Sequence, residues 1–239
     1  MSLRDFGPNE LIFLLLATRW TILLALIAFA GGGLLGLVVA ALRVAPARPL
    51  RWLAAGYIQF FMGTPILIQL FMAYYGSSLL GYRPDPWSAA ALTFCLNGAA
   101  FFGEIFRGAI EAIPKGQWEA ATALGFRFTR TLRLVIIPQA VRLMLPPTVG
   151  FMVQIVKTTS VASLIGLTEL ARAATQVNTV TFQPVVVFGT VSLIYFALCW
   201  PLSLLGAAME RRLKLDARRV PLDQAGLGAT EAVAAGEAR

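Results

Sequence analysis

Five stretches of this chain carry no charged residue: 20–42, 52–82, 86–103, 143–156 and 173–209. A helix rising 1.5 Å per residue needs about 20 apolar residues to cross the hydrocarbon core of a bilayer, and each stretch holds, or contributes most of, one such helix. The whole chain agrees, with 58% hydrophobic and only 13% charged residues. The expectation is an all-α polytopic membrane protein with five transmembrane helices, at roughly 20–42, 54–76, 87–106, 147–166 and 184–207. Pro147 and Pro184 suit the first turns of the fourth and fifth spans. Trp52 and Trp87 fall at span starts, where interfacial tryptophans belong. Ala28-Phe29-Ala30 resembles a signal-peptide cleavage site, but the uncharged run continues to Leu42, so the first span reads as uncleaved.

The basic residues set the orientation. Arg43, Arg48 and Arg51 lie between spans one and two. Arg107, Lys115, Arg127, Arg130, Arg133 and Arg142 lie between spans three and four, and another group from Arg211 onward follows span five. By the positive-inside rule these segments are cytoplasmic, which puts the C-terminus inside and the N-terminus outside. The net charge of +8 is thereby explained by topology, and no basic patch interleaved with aromatics points to nucleic acid. Segment 1–19 is expected to lie along the outer interface. Residues 20–213 read as the membrane domain, and 214–239 as a mobile cytoplasmic tail.

The chain has no histidine and two cysteines. Cys95 and Cys199 sit in apolar runs and read as packing residues. A metal centre or a histidine-based triad is therefore not expected, nor any cofactor. No G-x-x-x-x-G-K-[ST] loop is present, so energy from ATP would have to come from another subunit.

One polar island interrupts the greasy blocks. In the connection 107–146, Pro114 is placed to open a helix and Gly125 to close one in the left-handed conformation. Between them "KGQWEAATAL" favours two to three helical turns. Glu119 lies in its N-terminal half, and Ala120, Ala121 and Ala123 keep its surface thin enough for another backbone to approach. A solvated linker would be richer in charge.

"EAATALG", nine residues, then "VIIP" resembles the EAA loop of ABC-importer permeases. The positions carrying it are Glu119, Ala120, Ala121, Gly125, Val135, Ile137 and Pro138. The resemblance spans most of 18–213 and points to the polar amino acid branch through "GTPILIQLFMAYYG", "EIFRGAIEAIPKGQWEAATALG" and "KTTSVASLIGLTEL". It implies a type I ABC importer permease fold in the bacterial inner membrane, with Gly116, Glu119, Ala120, Ala121, Gly125 and Pro138 at the contact with an ATPase subunit dimer. It also implies a second permease subunit, identical or paralogous, an external solute-binding protein and an amino acid substrate. One departure stands out. The branch usually reads Arg-Gly-Thr-Pro with an acid three residues before the arginine, where this chain has Met62 and Gln59.

Polar residues within the spans are the candidates for the substrate path. Lys157, followed by Thr158, Thr159 and Ser160, falls about ten residues into the fourth expected span, where an unpartnered ammonium is costly. It either meets a substrate carboxylate or pairs with a carbonyl or acid of this or a partner subunit. Glu169 follows the Gly166 break and either meets an amino group or is a solvated outer acid. Asn97 is a binding group or helix-packing glue. Glu104 and Arg107 read as an ion pair, and Gly32 with Gly36 as a close-packing motif. Two other classes compete. A secondary transporter would show inverted repeats or ion-coupling carboxylates at mid-depth, and an intramembrane enzyme would need a nucleophile–base pair.

Overall fold

The computed structural model describes residues 5–218, with side chains through Leu213. Eight helices occur among the described residues: α1 Pro8–Val44, α2 Arg48–Gly63, α3 Ile66–Leu79, α4 Pro86–Glu111, α5 Lys115–Ala123, α6 Phe128–Ile165, α7 Leu170–Thr181 and α8 Pro184–Arg218. Four of them, α1, α4, α6 and α8, are each long and apolar enough to cross a membrane. The pair α2 and α3, bent by 100°, passes the same test only when taken together, so the spans number four, or five with the bent pair counted as one broken span.

The bundle is built around α1 and α4. Gly32 and Gly36 let these two helices approach at backbone distance, since a Cβ on Gly32 would lie 3.2 Å from Gly98 and one on Gly36 2.5 Å from the Phe102 Cβ. The expected Gly32/Gly36 packing motif is therefore a real contact. Leu24, Ala28, Phe94, Phe102, Ile155 and Val156 extend that seam into a core shared with α6. Cys95 and Cys199 are free thiols.

Three expectations about the elements need correction. The second span is not one helix over 54–76. Pro65 pushes Thr64 into extended backbone, φ −114° and ψ 140°, and the chain turns there. The fourth span does not start at Pro147. Pro146 and Pro147 lie inside a helix that already begins at Phe128 and makes one turn of π-helix at Leu132–Ile136. Prolines cost amide donors, but packing on both sides, through Ile136 and Ala140 before them and Ile155 and Val156 after them, holds the helix together. Because α4 runs on to Glu111 and α6 starts early, the 107–146 connection shrinks to 112–127 and contains only α5. Pro184 does open α8, as expected.

The boundaries drawn at 19 and 213 fall inside helices. The helix α1 passes residue 19 unbroken, and its Leu14 and Ala17 pack on Leu170, Ala173 and Ala174 of α7. At 37 residues it measures about 55 Å, longer than a bilayer core of about 30 Å. Helix α8 continues to Arg218, and the rest of the 214–239 tail lies outside the described residues.

Candidate functional site

Helix α5 has the form the island implied. Pro114 is its N-cap, and Gly125 adopts φ +77° just beyond its end. The Gly125 amide donates to the Thr122 carbonyl (2.9 Å) and the Phe126 amide to the Ala121 carbonyl (3.0 Å), closing the last turn. Trp118 and Ala121, three residues apart, form its inward face. Ala121 is 3% exposed, and Trp118 packs against the cluster of Ile110, Ile136 and Ala140 and stacks on Phe128. Gly116, Glu119, Ala120 and Ala123 are exposed. Of the residues assigned to the ATPase contact, Ala121 therefore faces the permease's own core. Pro138 is exposed on the first turn after the π-helical turn of α6.

The broken span frames a cavity of ≈ 180 Å³. Its frame is a hydrogen-bond network. The Gln69 side-chain amide donates to the carbonyls of Phe61 (2.9 Å) and Thr64 (3.0 Å) and to Thr64 Oγ1 (2.8 Å). Asn97 Nδ2 donates to the Phe61 carbonyl (3.2 Å) and to Gln69 Oε1 (3.2 Å). These bonds satisfy carbonyls that the end of α2 leaves orphaned. Asn97 is thus structural glue and a cavity-lining residue at once. Phe61, Met62 and Thr64 line one wall, Phe94, Asn97 and Phe101 another, and Phe151, Gln154 and Thr158 of α6 the third. Among the described residues no charged side chain lines it.

The other residues assigned to the substrate path do not gather there. Lys157 is exposed and opens onto a separate groove of ≈ 460 Å³ between α6 and α8, with Ser192, Phe196, Trp200 and Ser203. Thr159 is buried with its hydroxyl on the Val156 carbonyl (2.7 Å), and the Ser160 hydroxyl donates to the Lys157 carbonyl (2.7 Å). Both accompany the tightening of α6 into a 3₁₀ turn that stops at Gly166, φ +87°. Glu169 is neither a solvated outer acid nor open to an amino group. It is fully buried and caps α7, accepting hydrogen bonds from Arg172 N (3.0 Å), Thr21 Oγ1 (3.3 Å) and Tyr195 OH (3.1 Å), so it ties α1, α7 and α8 together. Gln69, Gln154 and Tyr195 were missed. Gln69 sat in plain view inside "GTPILIQL", and Gln154 lies one turn before Thr158. Nothing local marked Tyr195.

The Glu104–Arg107 ion pair forms, and Arg107 reaches Glu111 as well. Of the two departures from the branch pattern, Met62 puts an apolar side chain into the cavity wall, and Gln59 lies in a different cleft beside Arg43 and Arg51.

Comparison with known proteins agrees with this architecture. The L-cystine transport system permease protein of Bacillus subtilis is 38% identical over 81% of this chain and 83% of its own length. The arginine transport system permease protein of the same organism is 34% identical over 88% and 97%. A chain from the crystal structure of an amino acid ABC transporter with histidines superposes with a TM-score of 0.80 at 31% identity, covering 84% of this chain and 94% of that one. The model of the family "binding-protein-dependent transport system inner membrane component" matches residues 32–215. With its all-helical bundle of four to five spans, this chain belongs to that family: it is a multi-pass inner-membrane permease subunit, non-catalytic, of an ABC transporter that works with a binding protein and an ATPase.

Proposed function

We propose that this chain forms half of the membrane pathway of an importer for a polar amino acid, with its N-terminus outside and its C-terminus in the cytoplasm. The observation that carries the reading is α5, a short helix of small exposed residues held between α4 and α6 and ended by a left-handed glycine. Gly116, Glu119 and Ala120 present its docking face to one subunit of the ATPase dimer, and Trp118 and Ala121 root it in the permease. Movement of the ATPase is thereby passed to α4 and α6, which carry Asn97 at mid-helix and Thr158 toward the far end. Similarity to permeases for cystine and arginine supports an amino acid substrate. The uncharged cavity supports recognition by hydrogen bonding and shape, with Asn97, Gln154 and Thr158 as the polar groups. A second permease subunit, identical or paralogous, completes the pathway, and the solute-binding protein delivers substrate at the outer side. The secondary-transporter alternative has no ion-coupling carboxylate in the cavity to support it.

The test is uptake by proteoliposomes containing the permease, its ATPase and its binding protein. Amino acid accumulation is expected to require internal ATP. A single cysteine at position 120 should be labelled only from the cytoplasmic side, and one at position 82 only from outside. Uptake driven by an ion gradient without ATP, or the reverse labelling, overturns the reading.

A further inference from the structure

A second polar cleft lies at the end of the bundle that carries α5. Arg43 in the last turn of α1, Arg51, Trp52 and Gln59 of α2, and Glu111 at the end of α4 line it, and it encloses ≈ 500 Å³. Arg51, Ala55 and Gln59 repeat at four-residue intervals and so share one stripe of α2.

The charges in this cleft do not cancel. Arg107 takes both neighbouring carboxylates, Glu104 and Glu111, in ion pairs. Arg43 feels the field of Glu104, but its Nε is buried and donates to nothing. Among the described residues no hydrogen bond or ion pair engages the Arg51 side chain. Three guanidinium groups thus meet two carboxylates, and the residue two turns along from Arg51 on its own stripe is a neutral amide, Gln59.

The rim is apolar. Trp52 is 78% exposed. At the end of a membrane-spanning helix such side chains meet lipid, and tryptophan sits at headgroup depth. An occupant of the cleft must therefore carry a negative group for the arginines and an apolar body for Trp52.

We infer that this cleft binds the headgroup phosphate of an anionic phospholipid. Arg43 and Arg51 hold the phosphate oxygens, and Trp52 lies along the acyl chains. The guanidinium fork matches phosphate oxygens in geometry and charge, and basic pockets between transmembrane helices suit such head groups. A lipid seated here bridges the ends of α1, α2 and α4 beside α5. The inference rests on the chain spanning a membrane and not on which solute it carries.

The test uses the full-length permease in its assembled complex, with photoactivatable phosphatidylglycerol and phosphatidylcholine as probes and crosslinked peptides mapped by mass spectrometry. Phosphatidylglycerol is expected to crosslink within residues 43–59 in roughly thirtyfold preference over phosphatidylcholine, given two basic groups at the surface at about 1 kcal/mol each. The pair Arg43→Gln and Arg51→Gln should abolish the preference, and Arg43→Lys with Arg51→Lys should keep much of it. The wild-type map stands alone if the glutamine pair fails to fold. Equal labelling by the two lipids overturns the inference, as does labelling elsewhere in the chain. If soluble glycerol phosphate displaces the probe as well as the lipid does, the site takes a free anion and the lipid assignment falls. If labelling occurs in the isolated permease and vanishes in the complex, a protein partner covers the cleft, which also overturns it.

Discussion

Gly125 and Gly36 show two different ways in which a glycine is required. A Cβ on Gly125 would meet nothing within 4 Å, but the residue stands at φ +77°. The cost of substitution there is backbone strain alone, about 1–2 kcal/mol for an ordinary L-residue and more for a β-branched one. A Cβ on Gly36 would clash with Phe102 instead. Gly125→Val is therefore expected to insert and assemble, because the strain falls on an exposed turn outside the bundle core. It should displace the end of α5 and lower substrate-stimulated ATPase activity several-fold, measured on the purified complex in nanodiscs. Normal coupling in this variant would remove α5 from the mechanism. Pro114 and Gly125 were legible in the sequence because helix start and stop signals are local. The inward turn of Ala121 was not, because a helix of small residues shows no apolar face, and the partner that fixes its rotation, the Ile110–Ile136–Ala140 cluster, comes from two other helices.

At the scale of the element, prolines decide two spans in opposite ways. Before Pro65 the backbone leaves the helical region and the span breaks; at Pro146 and Pro147 the helix persists. Apolar length alone reads both stretches as straight helices and misplaces their ends, since it does not register that a side chain is ready to donate to the orphaned carbonyls. At the break that side chain is Gln69. Gln69→Leu keeps much of the volume but leaves the Phe61 and Thr64 carbonyls short of donors and Asn97 short of an acceptor. The expected cost is about 1–3 kcal/mol, read as a lower melting temperature of the detergent-solubilised permease. Asn97→Leu should cost a similar amount. The double variant should cost less than the two together, because the residues share one network. Strict additivity would mean that the network does not brace the break.

For the whole molecule, adjacent residues of α6 report on two faces. Thr158 lines the cavity against α4, and Lys157 opens toward α8. The run Lys157–Ser160 looks like one polar patch in the sequence, but a helix turns successive residues by about 100° and distributes the patch around its circumference. Ser192, Phe196, Trp200 and Ser203 beside Lys157 include no acid, so among the described residues none supplies a counter-charge in that groove. A cation at such depth must then be matched by a group outside the chain or reach water. The two readings of Lys157 separate when it is compared with its neighbour. Thr158→Val removes a hydroxyl from the cavity wall together with its bond to the Gln154 carbonyl (2.8 Å), and is expected to lower uptake several-fold without changing the yield of assembled complex. Lys157→Met removes the charge at nearly constant length. If the groove is where the second permease subunit packs, this variant should lower complex yield and melting temperature while each surviving complex transports at close to the wild-type rate. Uptake per complex in proteoliposomes, measured beside size-exclusion yield, distinguishes the pair. A stable Lys157→Met complex that no longer transports would instead return Lys157 to the substrate path, and would require the groove between α6 and α8 to open onto that path in another state of the transport cycle.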